Sequence, residues 1–229
     1  MYRAIGALFL CIFSLPPHSF AQDKAMPTSL TLSSGWNQLS GEKLEALNLK
    51  GDPVAGGDAF KICQGCHRNG AMGTPSGAYP RLAGQHSSVL IEQITDIRSG
   101  VRKNPKMEPY SDEHVLTIQE IADIAAYLQA VPIQPKSLGI GPGNALAKGE
   151  NLDLKDCAVC HGTKGLGDAK KFIPLIAGQY YKYVLRELAY MQEGKRGNAN
   201  PDMVEVVKKY SKEDLESVAD FVSRMPIGK

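Results

Sequence analysis

Cys63-Gln64-Gly65-Cys66-His67 returns 94 positions later as Cys157-Ala158-Val159-Cys160-His161. Two thiols one helical turn apart can each form a thioether with a vinyl group of haem, and the adjacent imidazole then faces the iron. The spacing therefore predicts c-type haem attachment at both places, with Cys63, Cys66, Cys157 and Cys160 as the tethers and His67 and His161 as iron ligands. Two other readings use the same cysteines. A C-x-x-C pair can be half of a tetrahedral zinc site, and it can be a redox dithiol, although that expects a βαβ setting which no part of this chain suggests. Neither requires a histidine directly after the second cysteine in both copies.

Working outward, the similarity extends well past the pentapeptides. At the same offset Pro80-Arg81-Leu82-Ala83-Gly84-Gln85 matches Pro174-Leu175-Ile176-Ala177-Gly178-Gln179. Gly100 and Arg102 fall on Gly194 and Arg196, Tyr127 and Leu128 on Phe221 and Val222, and Pro132 on Pro226. A domain of about 80 residues is thus duplicated, over 51–132 and 148–229. The segment between them, 133–147, is rich in proline and glycine and reads as a stiff linker that limits how far the domains separate.

Inside each copy the periodicity is helical. Leu90, Ile91, Ile94 and Ile97 share one stripe, as do Tyr181, Val184, Leu185 and Leu188. Gly100 and Gly194 stand where a left-handed helix cap would end these stripes. Thr117-x-x-Glu120 and Ser211-x-x-Asp214 have the form of capping boxes opening the last helix of each copy. No stretch alternates with strand period, so the predicted class is all-α. A domain of this size buries too little apolar surface to be comfortable alone, and a covalently held haem would complete each core.

The start of the chain has a different purpose. Arg3, the apolar run Ala4–Leu15 and the small residues Ser19 and Ala21 describe a cleavable signal peptide over 1–21, hence export to the periplasm. Cys11 lies inside it, so all four cysteines beyond it belong to the two motifs. Residues 22–50 form a leader holding the single tryptophan, Trp36, and a short helix through Leu44, Leu47 and Leu49, expected to pack on the first domain. Of the 229 residues 43% are hydrophobic and 22% charged, with a net charge of +2, and no basic stripe with interleaved aromatics argues for nucleic acid.

The second axial ligand decides whether an iron carries electrons or does chemistry, because a thioether closes the coordination sphere and an open face binds small molecules. Met72 is too near His67 to reach the opposite face, Met191 sits in a helical stripe, Met225 aligns with Val131 and Met26 is in the leader. Met107 and Met203 remain, 40 and 42 residues beyond their histidines, each in a loop between two helices. They are the predicted sulfur ligands. His86 and His114 are not shared by the copies and read as surface or helix-flank residues.

With both pentapeptides, the Pro-x-Leu/Ile-Ala-Gly-Gln segments and the loop methionines in view, the chain resembles the class I cytochromes c, and among them the dihaem cytochrome c4 type. The resemblance implies two tandem class I domains, each wrapped around one covalently bound haem c (iron) held between His and Met. It also implies that the Pro80 and Pro174 carbonyls accept from the histidine rings and that the first helix of each domain packs on its last. As function it implies no catalytic residues and single-electron carriage between respiratory redox partners, such as a membrane quinol-oxidising complex and a terminal oxidase. Contact with the membrane surface would come through those partners. A cytochrome subunit of a periplasmic dehydrogenase is the alternative, with the leader as docking arm, and a dihaem peroxidase-type enzyme is a weaker one. The long leader departs from the usual pattern of the type.

Overall fold

The computed structural model describes residue 1, residues 36–134 and residues 139–227. From residue 36 onward these belong to one compact unit, Ser33–Lys229. The signal-peptide reading, Met26 and residues 22–35 of the leader lie outside the described residues.

The elements in order are α1 (Gly41–Asn48), α2 (Pro53–Ala59), α3 (Gln64–His67), α4 (Ser87–Arg98), α5 (Glu108–Ser111), α6 (Ile118–Ala130), α7 (Leu146–Leu152), α8 (Ala158–His161), α9 (Tyr181–Gln192), α10 (Pro201–Lys208) and α11 (Lys212–Arg224). Among the described residues the only β-pairing is an isolated bridge between Asp168 and Ile173, so the fold is all-α. No helix among them is long and apolar enough to cross a membrane.

Each half is built the same way. Its opening helix, α2 or α7, crosses the closing helix, α6 or α11, and the middle helix, α4 or α9, packs against that closing helix too. The crossing is close because glycines stand at it: a Cβ on Gly56 would run into the Asp123 carbonyl, and one on Gly149 into that of Ser217. Both capping boxes form. Thr117 accepts from the Glu120 N–H and Ser211 from that of Asp214, while the two carboxylates reach back to the cap N–H groups. Gly100 and Gly194 take φ of +77° and +69° just past the ends of α4 and α9, the region that glycine enters without a Cβ penalty. Ile121, Ile124, Ala125 and Leu128 centre the first core, and Leu215, Val218, Ala219 and Val222 the second.

Four readings of the sequence are corrected or extended. In the leader helix the buried positions are Lys43 and Ala46, while Leu44 is exposed, because Lys43 turns inward to pair with Asp96. The leader also reaches beyond the first half: Trp36 Nε1 donates to the Asn198 carbonyl at 3.1 Å. The connection between the halves is not a free spacer, since Gly139 accepts from the Tyr181 N–H and the Gly141 N–H donates to Ser223. Finally, His86 joins the halves, its Nε2 lying 2.8 Å from the Leu166 carbonyl, whereas His114 is exposed as expected.

Candidate haem sites

Each pentapeptide winds into a single helical turn, α3 or α8, that brings its histidine under the body of its own half. His67 is 5% and His161 8% exposed. Their Nδ1 atoms lie 3.2 Å from the Pro80 carbonyl and 2.9 Å from that of Pro174. A carbonyl can only accept, so Nδ1 carries the proton in both rings and Nε2 keeps its lone pair. Burial, partly opposed by these same hydrogen bonds, holds both imidazoles below the usual histidine pKa. Neutral rings with a free Nε2 are what metal ligation needs.

A cavity of about 670 Å³ is lined by all eight of the predicted residues: Cys63, Cys66, His67 and Met107 from the first half, Cys157, Cys160, His161 and Met203 from the second. The four cysteines are unpaired. Burial first, then mutual repulsion with a neighbouring thiol, pushes Cys63 up to about 11. Burial, with Asp153 next, pushes Cys157 up to about 12. Among the described residues no three His, Cys, Asp or Glu side chains are grouped to hold a metal ion, so the four thiols do not converge on a shared zinc site. The other methionines sort themselves. Met72 packs on the first core and Met225 within the second, while Met191 borders the second core and the cavity alike.

The loops that present the two methionines differ. Met107 immediately precedes the one-turn helix α5, whereas Met203 is the third residue of the eight-residue α10, opened by Pro201 and capped by Asn200, which accepts from the Asp202 N–H. Asn104-Pro105 and Asn200-Pro201 stand alike before the two methionines, so the two-residue insertion falls between Arg196 and Asn200.

Where the halves meet, the cavity wall is polar. Arg102 donates to Gln93 at 2.7 Å and to Glu187 at 3.0 Å, and Arg196 donates to the same two side chains at 3.2 and 3.1 Å. Gln93 and Glu187 are repeat equivalents, as are the two arginines, so the arrangement is a nearly two-fold box. Arg186 also bonds Glu187. Burial alone would raise the Glu187 pKa, but the guanidiniums of Arg196, Arg102 and Arg186 bring it below the usual value. Three guanidiniums around one carboxylate leave positive charge at the cavity wall, which suits a cofactor carrying carboxylates. Together with the free Nε2 atoms and the apolar side chains of both cores, the residues present fit haem.

Sequence reading missed Tyr79, whose ring stands edge-on to His67 with centroids 6.1 Å apart, and the part played by Gln85 and Gln179. Only the repetition of those glutamines hinted at the latter.

The family described as "Cytochrome c" matches residues 54–132 and again 146–226. The chain belongs to the cytochrome c family. It is 38% identical over 192 residues to cytochrome c4 of Azotobacter vinelandii, covering 75% of this chain and 88% of that one. It is 31% identical over 176 residues to the thiosulfate dehydrogenase electron acceptor of Stutzerimonas stutzeri (strain A1501), covering 73% and 80%. Among solved structures, that of reduced recombinant cytochrome c4 from Pseudomonas stutzeri superposes with a TM-score of 0.67 at 27% identity, covering 77% of this chain and all of the other. The protein is therefore a dihaem, c4-like cytochrome with two covalently bound haem c groups, and its function is to carry electrons between redox proteins.

Proposed function

We propose that each iron is held between a histidine and a methionine, His67 with Met107 and His161 with Met203, and that Cys63, Cys66, Cys157 and Cys160 carry the thioethers. The observation that supports this most is the common cavity, onto which these eight side chains open, the four cysteines among them being the free thiols of the described residues. Haem so ligated supplies a one-electron couple whose coordination need not change between oxidation states. The chain's own residues do the rest. Pro80 and Pro174 fix the tautomer and azimuth of the histidine rings, the two cores exclude water, and the arginine box would offer positive charge to the cofactor's carboxylates. We place the two domains at 51–132 and 148–229, joined by 133–147.

On this reading the protein is not an enzyme. It is exported on a cleaved signal peptide and works in the periplasm, taking electrons from a quinol-oxidising complex and passing them to a terminal oxidase. The likeness to thiosulfate dehydrogenase electron acceptors favours a second reading, service to a periplasmic dehydrogenase as its cytochrome partner. The described part of the leader, Trp36 and α1, is engaged with the protein's own body.

Near-infrared spectroscopy of the oxidised holoprotein tests the ligand set. The sulfur-to-iron band should have the intensity of two Met-ligated haems, fall by half in Met107→Ala or Met203→Ala, and vanish in the double variant. A band unchanged in the double variant would overturn the assignment. Rapid binding of carbon monoxide by the unaltered reduced protein would favour a peroxidase-type open haem instead.

A further inference from the structure

The two Pro-x-Leu/Ile-Ala-Gly-Gln segments, remote in sequence, cross at the contact between the halves. Gln179, 6% exposed, accepts from the Arg81 N–H at 3.1 Å and donates through Nε2 to the Arg81 carbonyl at 2.9 Å. Gln85 does the same to Leu175, accepting its N–H at 2.9 Å and donating to its carbonyl at 2.9 Å. Arg81 and Leu175 are repeat equivalents, so each half's glutamine clasps the other half's backbone at one and the same position. Arg81 adds a second tie, its guanidinium donating to the carbonyls of Gly178 and Ala177 at 3.1 and 3.0 Å.

The position clasped is not arbitrary. The Arg81 N–H and the Pro80 carbonyl are two ends of a single amide, and that carbonyl accepts from His67 Nδ1. The Leu175 N–H and the Pro174 carbonyl are likewise one amide, with His161 on the carbonyl. Each histidine is therefore linked, through one peptide unit, to a glutamine of the opposite half. An amide whose N–H is engaged is more polarised, and its oxygen becomes a better acceptor. A better acceptor at Nδ1–H makes the imidazole a stronger donor at Nε2, which stabilises the oxidised iron.

We propose that Gln179 and Gln85 are positioning residues for the haem of the opposite half, Gln179 acting on the His67 side and Gln85 on the His161 side, so that the two potentials are wired crosswise. The proposal rests on His67 and His161 being iron ligands. It also gives the contact between the halves a redox role: opening that contact would raise both potentials together.

The test uses the oxidised holoprotein carrying ¹⁵N-histidine, with Gln179→Met and Gln85→Met as nearly isosteric variants and Arg81→Ala as control. Proton NMR reads the Nδ1–H resonances of His67 and His161, and potentiometry reads each haem. Gln179→Met should shift the His67 resonance and raise the potential of the first haem, leaving His161 and the second haem in place. Gln85→Met should give the mirror pattern, and either variant alone decides the matter if the other does not assemble. Arg81→Ala removes the guanidinium tie but keeps the backbone N–H at position 81 that donates to Gln179, so the His67 resonance should stay. Shifts confined to the haem of the half that carries the substitution, equal shifts at both, or no shift would overturn the crosswise wiring. Hyperfine-shifted histidine resonances that do not move would remove this proposal alone. Resonances without any hyperfine shift would remove the axial assignment beneath it.

Discussion

In the first half the residue four positions after the packing glycine of α2 is Phe60, wholly buried, its ring 5.6 Å from that of Tyr127. In the second half the residue four positions after Gly149 is Asp153, 1% exposed, with neither carboxylate oxygen finding a hydrogen-bond partner among the described residues. The second copy has one residue more between that glycine and its first cysteine, and a wide turn over Asp153–Cys157 absorbs it. Leu154, which the offset of 94 aligns with Phe60, is carried round to solvent and is 50% exposed. The covalent motif keeps its place in both halves while the buried residue one turn beyond the packing glycine changes from an aromatic ring to a carboxylate. A duplicated domain can take an insertion there because the wider turn returns the chain to register before the first cysteine.

The comparison can be broken most forcefully at Phe60. Phe60→Ala should lower the stability of the holoprotein by about 3–5 kcal/mol through lost burial and a residual cavity, read as a shift of the denaturant midpoint.

Asp153→Leu should act in the opposite direction. Burying a carboxylate without a partner is costly, so the leucine should stabilise by about 1–2 kcal/mol near neutral pH. Burial pushes the Asp153 carboxyl up to about 6 from an ordinary 3.8. Its protonated form is thus the one the fold prefers, and its contribution is most favourable below pH 3.8 and is lost as pH rises to about 6. The gap between variant and parent should therefore widen across that window and close below it, which unfolding at a series of pH values would show.

Equal effects are expected where the halves share a device. Thr117→Ala and Ser211→Ala each remove a cap that is formed and should each cost about 1 kcal/mol. A marked inequality between them would mean that one half carries the stability of the whole.

The smallest effect belongs to Leu154→Ala, about 0.5 kcal/mol or less for an exposed side chain. A loss comparable to that of Phe60→Ala would show that the equivalence drawn through Gly56 and Gly149 is misplaced.

Much of this was legible before any coordinates. The capping boxes, the glycine stops and the stripe of α4 depend on neighbours within four residues, so the sequence carries them openly. The stripe of α1 was misjudged because Lys43 is drawn inward by Asp96, more than fifty residues away. The role of His86 was invisible for the same reason, since its partner is the Leu166 carbonyl of the other half. The wide turn beside Asp153 escaped because aligning the pentapeptides hides a one-residue insertion just upstream of them.

The sequence by itself determined the chemistry: two C-x-x-C-H motifs in a repeated helical pattern admit little besides paired covalent haems, since the spacing of thiols and imidazole on one turn is a local property. Only the tertiary structure decided how the copies meet. Gln85, Gln179 and the two arginines of the box take partners 85–103 residues away, and side chains that must satisfy buried backbone groups find them wherever the chain has been folded to place them.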